Sequence, residues 1–222
     1  MNIRKIISTT IIGSMLSYMI FLGAEGVIVS ADQTATSTST STLQFPVTLI
    51  VNTEIDLSCP ASVLMPAISG LTGGPSSATA DCNVKTNSAN GYYLYVHASS
   101  TPALKSSTGS FGDHPYTTVP QFTWALASTA TSTFGFAASS TDVTDTFKST
   151  ASTCNSNGGT ISVSNCFRGF NGISDLTVSH GTTPTSAGGT TTTLNFKAEV
   201  GSTASQAAGT YTANITVTAV AI

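Results

Sequence analysis

Apolar and polar positions alternate along most of this chain. Phe45, Val47, Leu49 and Val51 alternate with Pro46, Thr48, Ile50 and Asn52, and Ile55 and Leu57 lead into Cys59. Side chains of a strand point to opposite faces in turn, so a period of two predicts a half-buried strand. The pattern breaks at a Pro- and Gly-rich stretch, Pro66 to Pro75, which predicts a loop. It resumes at Ala80, Cys82 and Val84. Asn90-Gly91 is a hairpin-turn signal, and Tyr92, Leu94, Val96 and Ala98 alternate after it. Phe122, Trp124 and Leu126 predict a further strand. Thr192, Leu194, Phe196, Ala198 and Val200 predict the longest, and Tyr211, Ala213, Ile215, Val217 and Ala219 the last. No stretch after the N-terminal segment has a 3.6-residue period. About seven to ten short strands separated by turn residues predict an all-β fold, an immunoglobulin-like antiparallel β-sandwich. The last two strands, joined by a Gly/Ser/Ala-rich turn, are expected to form an antiparallel hairpin. Its inner face would carry Leu194, Phe196, Ile215 and Val217.

The N-terminus has a different pattern. Arg4 and Lys5 precede an apolar run, Ile6 to Val29, that ends in Val29-Ser30-Ala31. This is the order of a secretory signal, so residues 1–31 are expected to be a cleaved signal helix. The alternative is an uncleaved anchor, since about 20 apolar residues span a bilayer; membrane contact is expected only through that segment. Residues 32–43 open with DQTATSTSTST, which has no apolar side chain larger than Ala and reads as a Thr/Ser-rich flexible spacer. Residues 44–222 are expected to form one β-sandwich domain. Residues 141–185 would be an irregular insertion stapled by a disulfide, on the long-loop side where binding usually sits.

Composition narrows the partners. Charged residues are 8% of the chain, against about 25% in ordinary soluble domains. Ser and Thr make up roughly a third. The net charge is -3, with no basic stripe, so nucleic acid and anionic membrane surfaces are poor partners. Behind a secretory signal, the even count of Cys59, Cys82, Cys154 and Cys166 predicts two disulfides. The preferred pairs are Cys59–Cys82 and Cys154–Cys166, which close the smaller loops.

Catalytic and metal chemistry find little support. There is no G-x-S-x-G elbow, and His97, His114 and His180 are scattered. Asp113-His114-Pro115 reads as a turn, and His97 as a surface residue. Asp142 and Asp145 lie in a polar segment, but calcium takes six to eight oxygens. No cofactor, metal site or enzymatic role is expected. Two groups are the candidate binding surface: Tyr93 and Tyr95, which point together on one strand, and Phe167, Arg168 and Phe170 on the insertion.

The ending Gly209-Thr210-Tyr211-Thr212-Ala213-Asn214-Ile215-Thr216-Val217-Thr218-Ala219 resembles the last strand of secreted bacterial sandwiches. These include pilin-like domains related to spore coat protein U and WxL-type cell-surface domains. Cys59 and Cys82, flanking strands, are similar to the pilin-like disulfide. Trp124-Ala125-Leu126 spells one W-x-L, and Val217 stands about where a WxL domain carries its second Trp. The stretches Leu57-Ser58-Cys59-Pro60 through Gly70-Leu71-Thr72-Gly73-Gly74 and Ala103-Leu104-Lys105 are similar to exported proteins of small-genome bacteria. The resemblance implies a secreted or cell-surface structural or adhesive module without catalysis, meeting a cell-envelope polymer or a protein partner. The alternatives are a pilin-like subunit that self-assembles by donating Phe45–Val51 to a neighbour, and an extracellular glycan hydrolase.

Overall fold

The structure, a computed structural model, describes residues 42–115, 119–170 and 172–222. The expected signal helix and nearly all of the spacer lie outside the described residues. The chain divides into two units at Val51–Asn52. In the first, residues 42–51 have no regular secondary structure. Phe45, Val47, Leu49 and Val51 are each at least 75% exposed. The alternation read from the sequence is present, but the predicted strand has no ladder to make it one.

The second unit, residues 52–222, is almost wholly β. In chain order its strands are β1 (Ile55–Ser58), β2 (Gly74–Thr86), β3 (Tyr92–Ala98), β4 (Gly112–Asp113), β5 (Ser132–Ser139), β6 (Lys148–Thr150), β7 (Thr153–Cys154), β8 (Thr160–Ile161), β9 (Leu176–Gly181), β10 (Thr190–Val200) and β11 (Ile215–Ala221). One sheet has the order β1-β2-β10-β5-β4, a second β11-β3-β9, and a small third β7-β6-β8. Every pairing is antiparallel except β4 on β5. The first two sheets share one core. Val84, Leu194, Phe196, Ala198 and Phe136 come from the first, Leu94, Val96 and Val178 from the second. Alternation governs both: β3 buries Tyr92, Leu94, Val96 and Ala98 and leaves Tyr93, Tyr95 and His97 half-buried on the other face.

Both expected disulfides are present, Cys59–Cys82 with Cα atoms 4.2 Å apart and Cys154–Cys166 at 5.6 Å. Four expectations need correction. The C-terminal hairpin does not form: β11 pairs with β3, Val217 opposite Val96, while β10 lies between β2 and β5. Residues 201–214 cross from one sheet to the other, although Leu194, Phe196, Ile215 and Val217 do reach the same core. Phe122–Leu126 is not a strand; β5 is, and buries Phe134 to Ala138 without a break. A strand covered on both faces loses the alternation by which it would be recognised. The longest strand is β2, of 13 residues, which runs through Pro75. Finally, residues 141–185 are only partly irregular, since β9 within them belongs to the second sheet.

Leu194 is 1% exposed between the sheets. Leu194→Ala is expected to destabilise the domain by about 2–5 kcal/mol through lost burial and a residual cavity. Thr218→Ala, on the exposed face of β11, should cost about 0.5 kcal/mol or less. Chemical denaturation of the two variants checks this; equal losses would contradict the assigned faces.

Candidate functional site: an open apolar groove at an unpaired sheet edge

The site begins where β1 stops. Ile55–Ser58 pairs with Thr86–Asn83 of β2, and Cys59 is then tied to Cys82 by the disulfide. Pro60 follows. Proline has no N–H to donate to a ladder, and the chain leaves the sheet there. The remainder of the outer edge of β2, Gly74–Cys82, therefore has no strand beside it among the described residues. On the facing sheet β11 is likewise a terminal strand, with β3 on one side.

Between these two edges no strand of the described residues closes the core, although Leu194, Phe196, Ala198 and Val200 are all buried. A groove of about 1120 Å³ is floored by Leu194, Phe196, Ala198 and Val200 of β10. Ala80 of β2 and Ile215 and Val217 of β11 form facing walls, with Phe111, Phe134 and Leu104 behind. Ala213, Ile215 and Val217 are only half-buried although they pack on the core. Segment Pro60–Leu71 closes part of the opening and turns Val63, Met65 and Ile68 onto the core. Buried strands normally satisfy both backbone edges and both faces. Here, among the described residues, the Gly74–Cys82 edge is left without a strand, and segment Pro60–Leu71 covers the apolar floor nearby.

The residues singled out in the sequence fall elsewhere. Tyr93 and Tyr95 do share the outer face of β3, with ring centroids 5.8 Å apart, and Tyr93 stacks on His180 at 4.3 Å. His97 pairs with Asp175 on the same face at 2.8 Å. Phe167 and Phe170 are not surface residues. They are 3% and 0% exposed, because Phe167 and Arg168 make backbone bridges to Gln121 and Phe136 that fold the insertion back onto β5. Phe170 then stacks on Phe136 at 4.7 Å. Arg168 is half-buried, with burial pushing its guanidinium below the ordinary value. Asp142 accepts a hydrogen bond from the Tyr92 hydroxyl at 3.1 Å, and Asp145 pairs with Lys148 at 2.9 Å.

Asp113-His114-Pro115 is not a turn either. Asp113 belongs to β4, and the Asp113 carboxylate accepts from the Ala103 N–H. His114 is fully buried and stacks on Trp124 at 4.4 Å. Lys197 lies over the other ring contacts, 5.1 Å from Trp124 and 5.6 Å from Phe167. The Trp124 indole N–H donates to Glu199 at 2.7 Å. This cluster fastens the 121–124 and 167–168 segments to the sheet through side chains.

The groove was the element that sequence reading missed. Its floor residues were recognised as core, but an opening is a property of what fails to cover them. The one local signal was Pro60, which ends a strand whose partner strand continues. Comparison with family models, with curated proteins and with solved structures finds no match to this chain.

Burial lowers the His114 pKa from 6.5 to about 4; the Gln121 side chain partly opposes this, and the charge of Lys197 reinforces it. The folded state thus binds its proton more weakly than the unfolded state, and the neutral imidazole is the folded form. Stability from this site is complete above pH 6.5 and falls as pH drops from 6.5 to about 4, by on the order of 2–3 kcal/mol. His114→Phe should flatten the dependence of melting temperature on pH across that window. An unchanged slope would assign the acid sensitivity to other groups.

Proposed function

We propose that this chain is an exported structural subunit of a cell-surface polymer that assembles by strand donation. Residues 43–51 of one copy enter the open groove of another. Of the readings that the sequence leaves open, a structural or adhesive module and a self-assembling subunit, one observation favours the second. The same chain carries an apolar groove at an unpaired strand edge, covered in part by a loop, and an exposed segment of matching pattern.

The match is physical at three levels. Phe45, Val47, Leu49 and Val51 alternate in sequence, with Leu43 in phase, so in an extended strand they would share one face. Phe45 to Val51 extends about 20 Å, the same length as the groove floor from Leu194 to Val200. The edge Gly74–Cys82 offers backbone donors and acceptors to an added strand, the mode in which main-chain bonds supply affinity and alternate side chains supply specificity. Pro46 removes one N–H from the donated strand, so it suits a position facing away from β2.

Such an interface is heterologous, donor on one copy and groove on the next, and a heterologous contact that does not close gives open filaments. The rest of the chain agrees with an extracellular setting. Both disulfides belong to an oxidising compartment, and the leader read in residues 1–31 would take the chain there. An immunoglobulin-like sandwich lacking one strand is the architecture this reading implies, and it fits the pilin-like resemblance better than the WxL one.

Purified protein is expected to form polymers whose length grows with concentration in sedimentation velocity. Phe45→Asp and Leu49→Asp together should abolish them, because each would bury an unpaired charge. Ile50→Asp, on the opposite face of the segment, should be tolerated much better. Because Phe45 and Leu49 are exposed, the melting temperature of the monomer should stay unchanged. Polymers that persist in the double variant would overturn strand donation.

A further inference from the structure

The acceptor groove carries its own partial cover. Segment Pro60–Leu71 lies along the edge of β2 without joining the sheet. Val63 and Met65 face inward in strand-like alternation, with Ser62 and Leu64 outward. The phase then breaks at Pro66, so that the next inward residue is Ile68. Among the described residues, two bonds tie its backbone to the rest of the domain. The buried Ser76 hydroxyl donates to the Pro66 carbonyl at 2.6 Å, and the Gln206 N–H donates to the Gly70 carbonyl at 2.9 Å. Covalent and turn anchors fix the two ends: the Cys59–Cys82 disulfide at one, and the Ser69–Gly73 bridge at the other.

We infer that Pro60–Leu71 is a built-in plug of the groove, displaced when a donated strand enters. This rests on the strand-donation reading above and concerns the regulation of the same site. The plug offers three inward apolar side chains and takes the place of a ladder with one hydroxyl bond to β2. The donor offers at least four inward side chains in unbroken phase and a backbone that can pair along Gly74–Cys82. The donor therefore outcompetes the plug, yet the plug shields Leu194, Phe196 and Ala198 from water until a neighbour arrives. A bare groove beside an open edge would invite unspecific pairing. The anchors let the plug swing out without detaching, since Cys59 stays bound to Cys82 whichever strand lies beyond it.

Gly70 provides a way to loosen the plug without altering the groove lining from the sheets. A Cβ on Gly70 would stand 2.3 Å from the Gln206 carbonyl oxygen, so Gly70→Ala must break that anchor. The experiment uses the full chain carrying Phe45→Asp and Leu49→Asp, which cannot donate, and a labelled synthetic peptide with the sequence of residues 42–53. Capture is followed by fluorescence anisotropy in this chain, in the same chain with Gly70→Ala, and in the same chain with Met65→Ser. Both loosened chains should capture the peptide on the order of tenfold faster. In the chain with an unaltered plug, hydrogen exchange at residues 60–71 should rise once peptide is bound, while Gly74–Cys82 becomes protected. Unchanged capture rates, or amides at 60–71 that stay protected in the bound state, would overturn the plug and leave strand donation standing. No capture by any of the three chains would overturn strand donation and the plug with it.

Discussion

A β-strand has two backbone edges, and each N–H and C=O along them needs a partner or water. The structure of this protein turns on one edge where that requirement is left open. β2 is 13 residues long, but β1 covers only Asn83–Thr86 of its outer side. Pro60 ends the cover, and the Cys59–Cys82 disulfide fixes the place where it ends. On the other side of β2 lies β10, whose apolar residues Leu194 to Val200 line the groove. The uncovered edge thus presents unpaired backbone groups next to an apolar groove.

The surrounding parts are consistent with holding that gap in shape. Packing of β10 between β2 and β5 makes the floor rigid. The Trp124, His114 and Lys197 cluster and the bridges of Phe167 and Arg168 to Gln121 and Phe136 brace β5 from outside. β11 forms the opposite wall, held by β3 and by the Ile222 N–H donating to the Gly91 carbonyl. Asn87 fixes the entry of the chain at the other end of β2, its side-chain amide donating to the Asn52 carbonyl at 2.8 Å and its carbonyl oxygen accepting from the Glu54 N–H at 2.7 Å. From that end β1 runs antiparallel to β2 toward the Cys59–Cys82 disulfide.

Much of the fold was legible because its rule is local. Strands with one wet face, such as β3 and β11, show their alternation directly, and the two disulfides followed from small loops. β5 was not legible: Phe134, Gly135, Phe136, Ala137 and Ala138 are all buried, so no polar position marks its period. The pairing of β11 was misread because alternation says which face is buried and nothing about which strand lies alongside. Phe167 and Phe170 were read as a surface because their burial depends on backbone bridges to residues more than 30 positions away. The alternation of Phe45, Val47, Leu49 and Val51 is visible in the sequence. The groove is not, because a groove is the absence of a strand, and the sequence displays only strands that exist.

The central claim is that donor and acceptor reside on different copies. It is tested most directly by mixing two chains, each disabled on one side. One carries Phe45→Asp and Leu49→Asp; the other carries Ile215→Glu, which places a charge in the groove wall. Multi-angle light scattering on each alone and on the mixture reads the result. The account predicts that each chain alone is a monomer and that the mixture yields one-to-one heterodimers that grow no further. Mixtures that stay monomeric, or single-variant chains that polymerise alone, would contradict it.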